Sequence, residues 1–203
     1  MTKKNERSKV FLIGDSIAGG YAERVRELLV DLATVEVRPE NGEDSRNVLS
    51  RAPHWLEGKR FHVIHFNCGL HDFKRYHGSG SIQVPLSEYG ANLGQIIALL
   101  GQYAEILIWA RTTPVIDGQP ASKKGFDRFN RDVEEYNRVA DRVMAARSVL
   151  INDLHGAIVQ AGVEKCLSND GVHMTEFGYQ VLGNQVANAI LSAIRPAAPG
   201  LEE

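Results

Sequence analysis

Apolar and polar positions along this chain alternate between two periods. Runs of strand length occur at "KVFLI" (Lys9 to Ile13), "TVEVRP" (Thr34 to Pro39), "FHVIHFN" (Phe61 to Asn67), "EILIWAR" (Glu105 to Arg111) and "SVLIND" (Ser148 to Asp153). They predict five strands. Between them the apolar positions recur at helical spacing. Ala22 to Ala33 places Val25, Leu28, Leu29 and Leu32 on one face, and further helices are predicted near Asn47 to Leu56, Glu88 to Tyr103, Asp127 to Arg147 and Thr175 to Ile194. Strand and helix in regular alternation predict an α/β fold, a parallel sheet covered on both faces. The whole of 1–203 reads as a single domain, with about 1–8 and 196–203 as flexible tails and His77 to Ser87 as a surface loop.

In open sheets of this kind ligands bind beyond the carboxyl ends of the strands, where loops lead into helices. That rule sorts the polar residues. Gly14-Asp15-Ser16 follows the first strand, Glu40-Asn41-Gly42 the second, Gly69-Leu70-His71-Asp72 the third and Arg111-Thr112-Thr113-Pro114 the fourth. Four loops rich in donors, acceptors and glycine are expected to converge on one edge.

Composition narrows the chemistry. With 203 residues and 43% hydrophobic content the chain can bury one ample core without disulfides. Lys and Arg number 23 against 25 Asp and Glu, for a formal charge of -2, so no global field favours nucleic acid or an anionic membrane. Cys68 and Cys166 are far apart, unlike the close pairs of zinc or redox motifs. His62 and His65 lie three positions apart on a strand and point to opposite faces, so they cannot share an ion. No metal and no cofactor are expected. No stretch approaches the roughly 20 apolar residues of a membrane span, and no signal-peptide core follows the basic N-terminus. The expected location is cytoplasmic; the oligomeric state is not legible.

Ser16 has three readings. It can cap the helix that follows, it can help hold a phosphate, or it can be a nucleophile. The phosphate reading is weak, because neither phosphate-binding glycine signature is present and Asp15 would repel the anion. A nucleophilic serine needs a base, and the base needs an orienting carboxylate. In "SNDGVHMTEFGY", Asp170 and His173 stand three residues apart around Gly171, so that one short loop can bring both side chains to the same place. Asp153, at the end of the fifth strand, is the rival carboxylate. Tyr136 and Asn137 read as residues that brace a loop.

Together these blocks resemble the SGNH, or GDSL-type, hydrolase superfamily of serine esterases and lipases: Gly14-Asp15-Ser16-Ile17 near one end and Asp170-Gly171-Val172-His173 near the other. The resemblance spans essentially the whole chain. It implies a three-layer α/β/α fold with a five-stranded parallel sheet of flavodoxin-like order. It also implies Ser16 as nucleophile, His173 as general base and Asp170 as its orienter. In that superfamily the oxyanion is held by the nucleophile's own N–H, a glycine N–H after the second strand and an asparagine after the third. Gly42 matches the glycine, but histidine, His71, stands where asparagine is usual. An imidazole N–H can replace the amide, and one such donor is worth about 3–4 kcal/mol; an additional ionisation in the activity profile is then expected.

The middle blocks resemble a bacterial branch associated with acylated carbohydrates, which would place Asp15, Arg46, Thr112 and Thr113 around the substrate. Arg46 reads equally as one half of a solvated ion pair. The expected activity is removal of a short acyl group, such as acetyl, from a carbohydrate or other small hydroxylated ester through an acyl-enzyme. The alternatives are a catalytically weak carbohydrate- or lipid-binding member of the fold and a lysophospholipase- or thioesterase-like lipid hydrolase.

Overall fold

The computed structural model describes residues 7–117 and 125–194. Its strands are β1 (Ser8–Ile13), β2 (Ala33–Val37), β3 (Phe61–Phe66), β4 (Arg75–Tyr76), β5 (Ala104–Ala110), β6 (Phe126–Asp127) and β7 (Leu150–Asn152). Five of them form one parallel sheet in the order β2-β1-β3-β5-β7, while β4 and β6 pair antiparallel as a separate short ribbon. The helices are α1 (Ser16–Leu29), α2 (Ser45–Leu56), α3 (Leu86–Leu100), α4 (Asn130–Ala145), α5 (Leu154–Ala161), α6 (Val163–Cys166) and α7 (Glu176–Ile194). α1, α5 and α7 pack together on one side of the sheet, and α2, α3 and α4 form the other layer. The three-layer α/β/α fold expected from the sequence is the fold observed.

The sheet sits where apolar side chains are most continuous. Val10, Phe11, Leu12 and Ile13 of β1, and Val63, Ile64 and Phe66 of β3, are buried against helices on both faces, as a doubly covered parallel sheet requires. Three local expectations need correction. β1 begins at Ser8, inside the segment expected to be a tail; residues 1–6 and 195–203 lie outside the described residues. α1 begins at Ser16, six residues before the expected start, and its buried face is Ile17, Ala18, Tyr21, Ala22, Val25 and Leu29. Leu28 and Leu32 are exposed, because Leu28 projects about 100° around the helix from Leu29 and Leu32 follows the helix end. α4 begins at Asn130 rather than Asp127, because Phe126 and Asp127 are drawn into the ribbon with β4.

The strand order fixes where a site can form. From β1 the chain leaves through α1 to β2 on one side, and from β3 it leaves through α3 to β5 on the other. The two outgoing connections diverge beyond the carboxyl ends of β1 and β3, which opens a crevice there. Ser16 follows β1 and His71 follows β3, so both stand at its rim.

Candidate active site

The turn after β1 settles which residue caps α1. The Asp15 carboxylate accepts the Ile17 N–H at 2.9 Å, making Asp15 the N-cap and Ser16 the first helical residue. The serine hydroxyl is thereby released from capping. From behind the turn, Arg38 donates through Nε to the Gly14 carbonyl and through Nη2 to that of Asp15, each at 2.5 Å, holding the strand end and the cap residue together. Asp15 itself is buried, and burial raises its pKa against the pull of the Ile17 N–H and of Arg128, Arg38 and His173. Its Oδ2 is buried without a partner. The residue supports the turn and forms part of the cavity wall.

The Ser16 Oγ lies 2.9 Å from His173 Nε2, although the two residues are 157 positions apart. Packing of α7 on α1 brings them together. Ahead of α7 the loop folds back on itself: Leu167 bridges Met174, the Ser168 N–H donates to the His173 carbonyl at 2.7 Å, and Gly171 adopts φ +69. Glycine takes that left-handed conformation without steric cost. The Ile116 N–H donates to the Gly171 carbonyl at 2.9 Å, anchoring the loop to the segment after β5.

Within this loop the Asp170 Oδ2 lies 2.5 Å from His173 Nδ1, and its Oδ1 accepts from the Ser168 hydroxyl and from the N–H groups of Val172 and His173. Partial burial would raise the Asp170 pKa, but the His173 ring and these three donors outweigh it and hold the carboxyl well below its ordinary range. The imidazole is thus fixed with Nδ1–H toward the carboxylate and Nε2 toward the hydroxyl. Asp153, the rival carboxylate, accepts the Gly156 N–H as cap of α5 and pairs with Arg111. It belongs to another part of the molecule.

A cavity of about 260 Å³ opens at this triad, lined by Asp15, Ser16, Asn41, Leu70, His71, Lys74, Phe126, Arg128, Val172 and His173. His71 is therefore on the wall. Burial, aided by Lys74, Arg128 and His173, drives its pKa down to about 3, against a weaker opposite pull from Asp44. The ring is then neutral above about pH 3, which moves the expected additional ionisation to about that pH; desolvation of the charged form is the reason. Asp72 does not touch it. The Asp72 carboxylate turns inward to accept the Ser45 N–H at 3.0 and 3.1 Å, joining the third loop to the start of α2.

The other expected site residues are dispersed. Gly42 donates its N–H to the Gly14 carbonyl at 2.9 Å, so that donor is already engaged; a Cβ there would stand 2.6 Å from the same oxygen. Its glycine is needed for close approach to the turn that carries Ser16. Arg46 is exposed and forms a bidentate pair with Glu88 at 2.5 and 2.6 Å, the solvated ion pair of its alternative reading. Thr112 is buried as a brace: its N–H and C=O both bond the Asn137 amide at 2.8 Å, and its hydroxyl meets Asn67. Tyr136 likewise donates to the Val84 carbonyl, so both residues do brace loops. Thr112 and Thr113 line a separate pocket of about 10 Å³, room for about one water.

Sequence reasoning missed Lys74, Phe126 and Arg128 on the cavity wall, and it placed Asn41, Leu70 and Val172 at this edge only as members of their loops. Arg128 and Phe126 fall at the boundary of the predicted helix from Asp127, where a helical register hides them. Lys74 carried a usable signal, lying one turn beyond His71.

The pattern of the GDSL-like lipase/acylhydrolase family matches residues 12–181. A comparison with curated proteins gives no match. Among solved structures, the lipase/acylhydrolase from Enterococcus faecalis superposes with a TM-score of 0.75 at 22% identity, covering 96% of this chain and 100% of that one. LAE5, an alpha/beta hydrolase from the metagenome of Lake Arreo, Spain, gives 0.74 at 19% identity, covering 93% and 97%. Axe2, an acetylxylan esterase from Geobacillus stearothermophilus, gives 0.72 at 20% identity, covering 90% and 94%. At these identities the superpositions establish the shared fold.

Proposed function

The chain belongs to the GDSL-like lipase/acylhydrolase family and is an ester hydrolase, and from that premise we propose that it works through Ser16, His173 and Asp170, releasing a short acyl group such as acetyl from a carbohydrate or other small hydroxylated substrate. The observation that carries this reading is the continuous relay from the Ser16 hydroxyl to His173 at 2.9 Å and from His173 to Asp170 at 2.5 Å.

Ser16 Oγ attacks the ester carbonyl while His173 Nε2 takes its proton; Asp170 keeps the ring oriented and stabilises the imidazolium. The tetrahedral intermediate collapses as His173 returns the proton to the departing alcohol. A water, deprotonated by the same nitrogen, then cleaves the acyl-Ser16 bond, and the proton returns to Ser16.

Two groups are available for the oxyanion. One is the Ser16 N–H, which in the first turn of α1 has no intrahelical acceptor. The other is His71. Its Nδ1 is buried without a partner, and a buried N–H left without an acceptor is costlier than an unused lone pair. The neutral ring therefore carries its proton on Nε2, the nitrogen left to donate into the cavity. Since Gly42 is engaged with Gly14, it is not assigned a donor role. A cavity of about 260 Å³ suits a small acyl group and a sugar-sized alcohol better than a long lipid chain, and the acetylxylan specificity named for Axe2 lies in the same direction.

Hydrolysis of p-nitrophenyl acetate by the Ser16→Ala protein tests the reading. Loss of about 10⁴-fold or more in kcat is expected; turnover at the wild-type rate would overturn it.

A further inference from the structure

Besides Ser16 and His173, the cavity wall carries two cations, Lys74 and Arg128. The β4–β6 ribbon pairs Arg75 with Asp127 and Tyr76 with Phe126. Continued by one residue, that register sets Lys74 against Arg128. Both charges lie over the same aromatic ring, the Lys74 ammonium and the Arg128 guanidinium each 5.0 Å from the Phe126 centroid, hence no more than about 10 Å apart.

The arrangement is costly as it stands. Burial lowers the pKa of both groups; Arg128 lowers that of Lys74 further, against the pull of Glu43, Asp44 and Asp72, while Asp15 and Asp170 pull the other way on Arg128. Several other described cations have carboxylate partners: Arg46 has Glu88, Arg75 has Asp132, and Arg111 has Asp141 and Asp153, while the part-buried Arg38 is spent on two backbone carbonyls. Among the described residues neither Lys74 nor Arg128 forms an ion pair. Arg128 spends Nε on the Leu70 carbonyl, leaving its terminal nitrogens uncommitted. Of the nearby carboxylates, Asp15 caps α1 and is disfavoured as an anion by burial, Asp170 holds His173, Asp44 caps α2 and Asp72 accepts the Ser45 N–H; Glu43 attracts Lys74 without pairing with it. One ring shared by two cations offsets only part of that burial cost.

We propose that Lys74 and Arg128 form an anion-recognition subsite, and that the enzyme's substrate is an ester whose alcohol portion carries a carboxylate or phosphate. This rests on the esterase reading: with an acyl group as small as acetyl, the charge has to reside on the alcohol. A bound anion would supply the missing counter-charge in a partly desolvated cavity, where such attraction is stronger than in water.

The test compares kcat/KM for matched pairs of acetyl esters: an O-acetyl hydroxy acid against its carboxamide, and an O-acetyl sugar phosphate against the unphosphorylated sugar. Wild-type protein is expected to prefer the anionic member of at least one pair by about tenfold or more, and the pair preferred identifies the anion. The ratio should fall toward one in Lys74→Met, which keeps the aliphatic stem against Phe126, and in Arg128→Gln. Ratios at or below one for both pairs would overturn the proposal, as would a preference that persists unchanged in both variants. Calorimetric binding of the free hydroxy acid and sugar phosphate, against their neutral counterparts, to Ser16→Ala protein reads the same preference without turnover. Anion binding by a protein that hydrolyses no ester would sink the esterase reading and leave the subsite standing; hydrolysis without anion preference would do the reverse.

Discussion

Two loops of this molecule each offer an aspartate and a histidine, and they use them in opposite ways. In the loop before α7, Asp170 and His173 are three residues apart around a left-handed Gly171, and their side chains meet at 2.5 Å. In the loop after β3, His71 and Asp72 are adjacent and part: the imidazole lines the cavity while the carboxylate turns inward to Ser45. Solvation follows the same division. Asp170 is half-exposed and receives four hydrogen bonds, which hold it ionised. Asp72 is buried, and burial lifts its pKa to about 7, against the pull of the Ser45 donors and with further help from Asp44. Sequence proximity thus says little about pairing; a turn that folds back on itself creates the pair, and a turn that bridges core and cavity separates it.

The first loop is the more damaging to break. Asp170→Asn keeps the size of the side chain but removes the charge and disturbs the imidazole tautomer, so kcat is expected to fall about 10³–10⁴-fold, read in steady-state ester hydrolysis with near-native circular dichroism. A loss of less than tenfold would mean that His173 is oriented by something else. In the second loop, His71→Ala removes a donor rather than a base, and a loss of about 10²–10³-fold is expected, whereas His71→Asn, which restores an N–H donor, should stay within about tenfold of wild type. Because His71 is already neutral above about pH 3, the pH profiles of kcat/KM for wild type and His71→Asn should have the same shape between about pH 5 and 9. An ionisation present only in wild type would contradict this.

The smallest effect belongs to Asp72, and it concerns stability. A carboxyl whose pKa is raised on folding binds its proton more tightly in the native state, so its contribution is fully present below the unfolded pKa near 3.8 and is lost as the pH rises through about 7. Asp72→Asn remains neutral and can still accept from Ser45. Its melting temperature relative to wild type is expected to climb between pH 4 and 8, with turnover little changed; parallel stability curves would show that Asp72 is not the buried titrating group.

Much of this was legible from the chain alone, for physical reasons. Five apolar runs became the five sheet strands within two residues at each end, because the doubly covered central strands demand continuous apolar sequence, although at the edge strand β7 Leu150 and Ile151 are exposed. Ser16, Asp170 and His173 could be singled out as candidates because a nucleophile, a base and its orienting carboxylate need particular residue types at loop positions, and the structure places the three within hydrogen-bond reach. The start of α1 is hard to read from sequence because Gly19 and Gly20, poor helix formers, interrupt its first turns. They lie inside the helix, where the absent side chain of Gly20 admits the ring of Tyr179. The β4–β6 ribbon is two residues long on each side, too short to show a period, so Lys74 and Arg128 were not connected to the site. Thr112 and Gly42 stood at the correct edge, yet hydrogen bonding and close packing engage them otherwise, and Thr113 lines the small pocket beside Thr112.

The measurement closest to the central claim is reaction of the folded protein with a fluorophosphonate, followed by peptide mass mapping. One adduct per chain on the peptide containing Ser16, formed far more slowly in the Asp170→Asn and His173→Ala proteins, is the predicted result. An adduct on another residue, or labelling of Ser16 at an undiminished rate without His173, would contradict it.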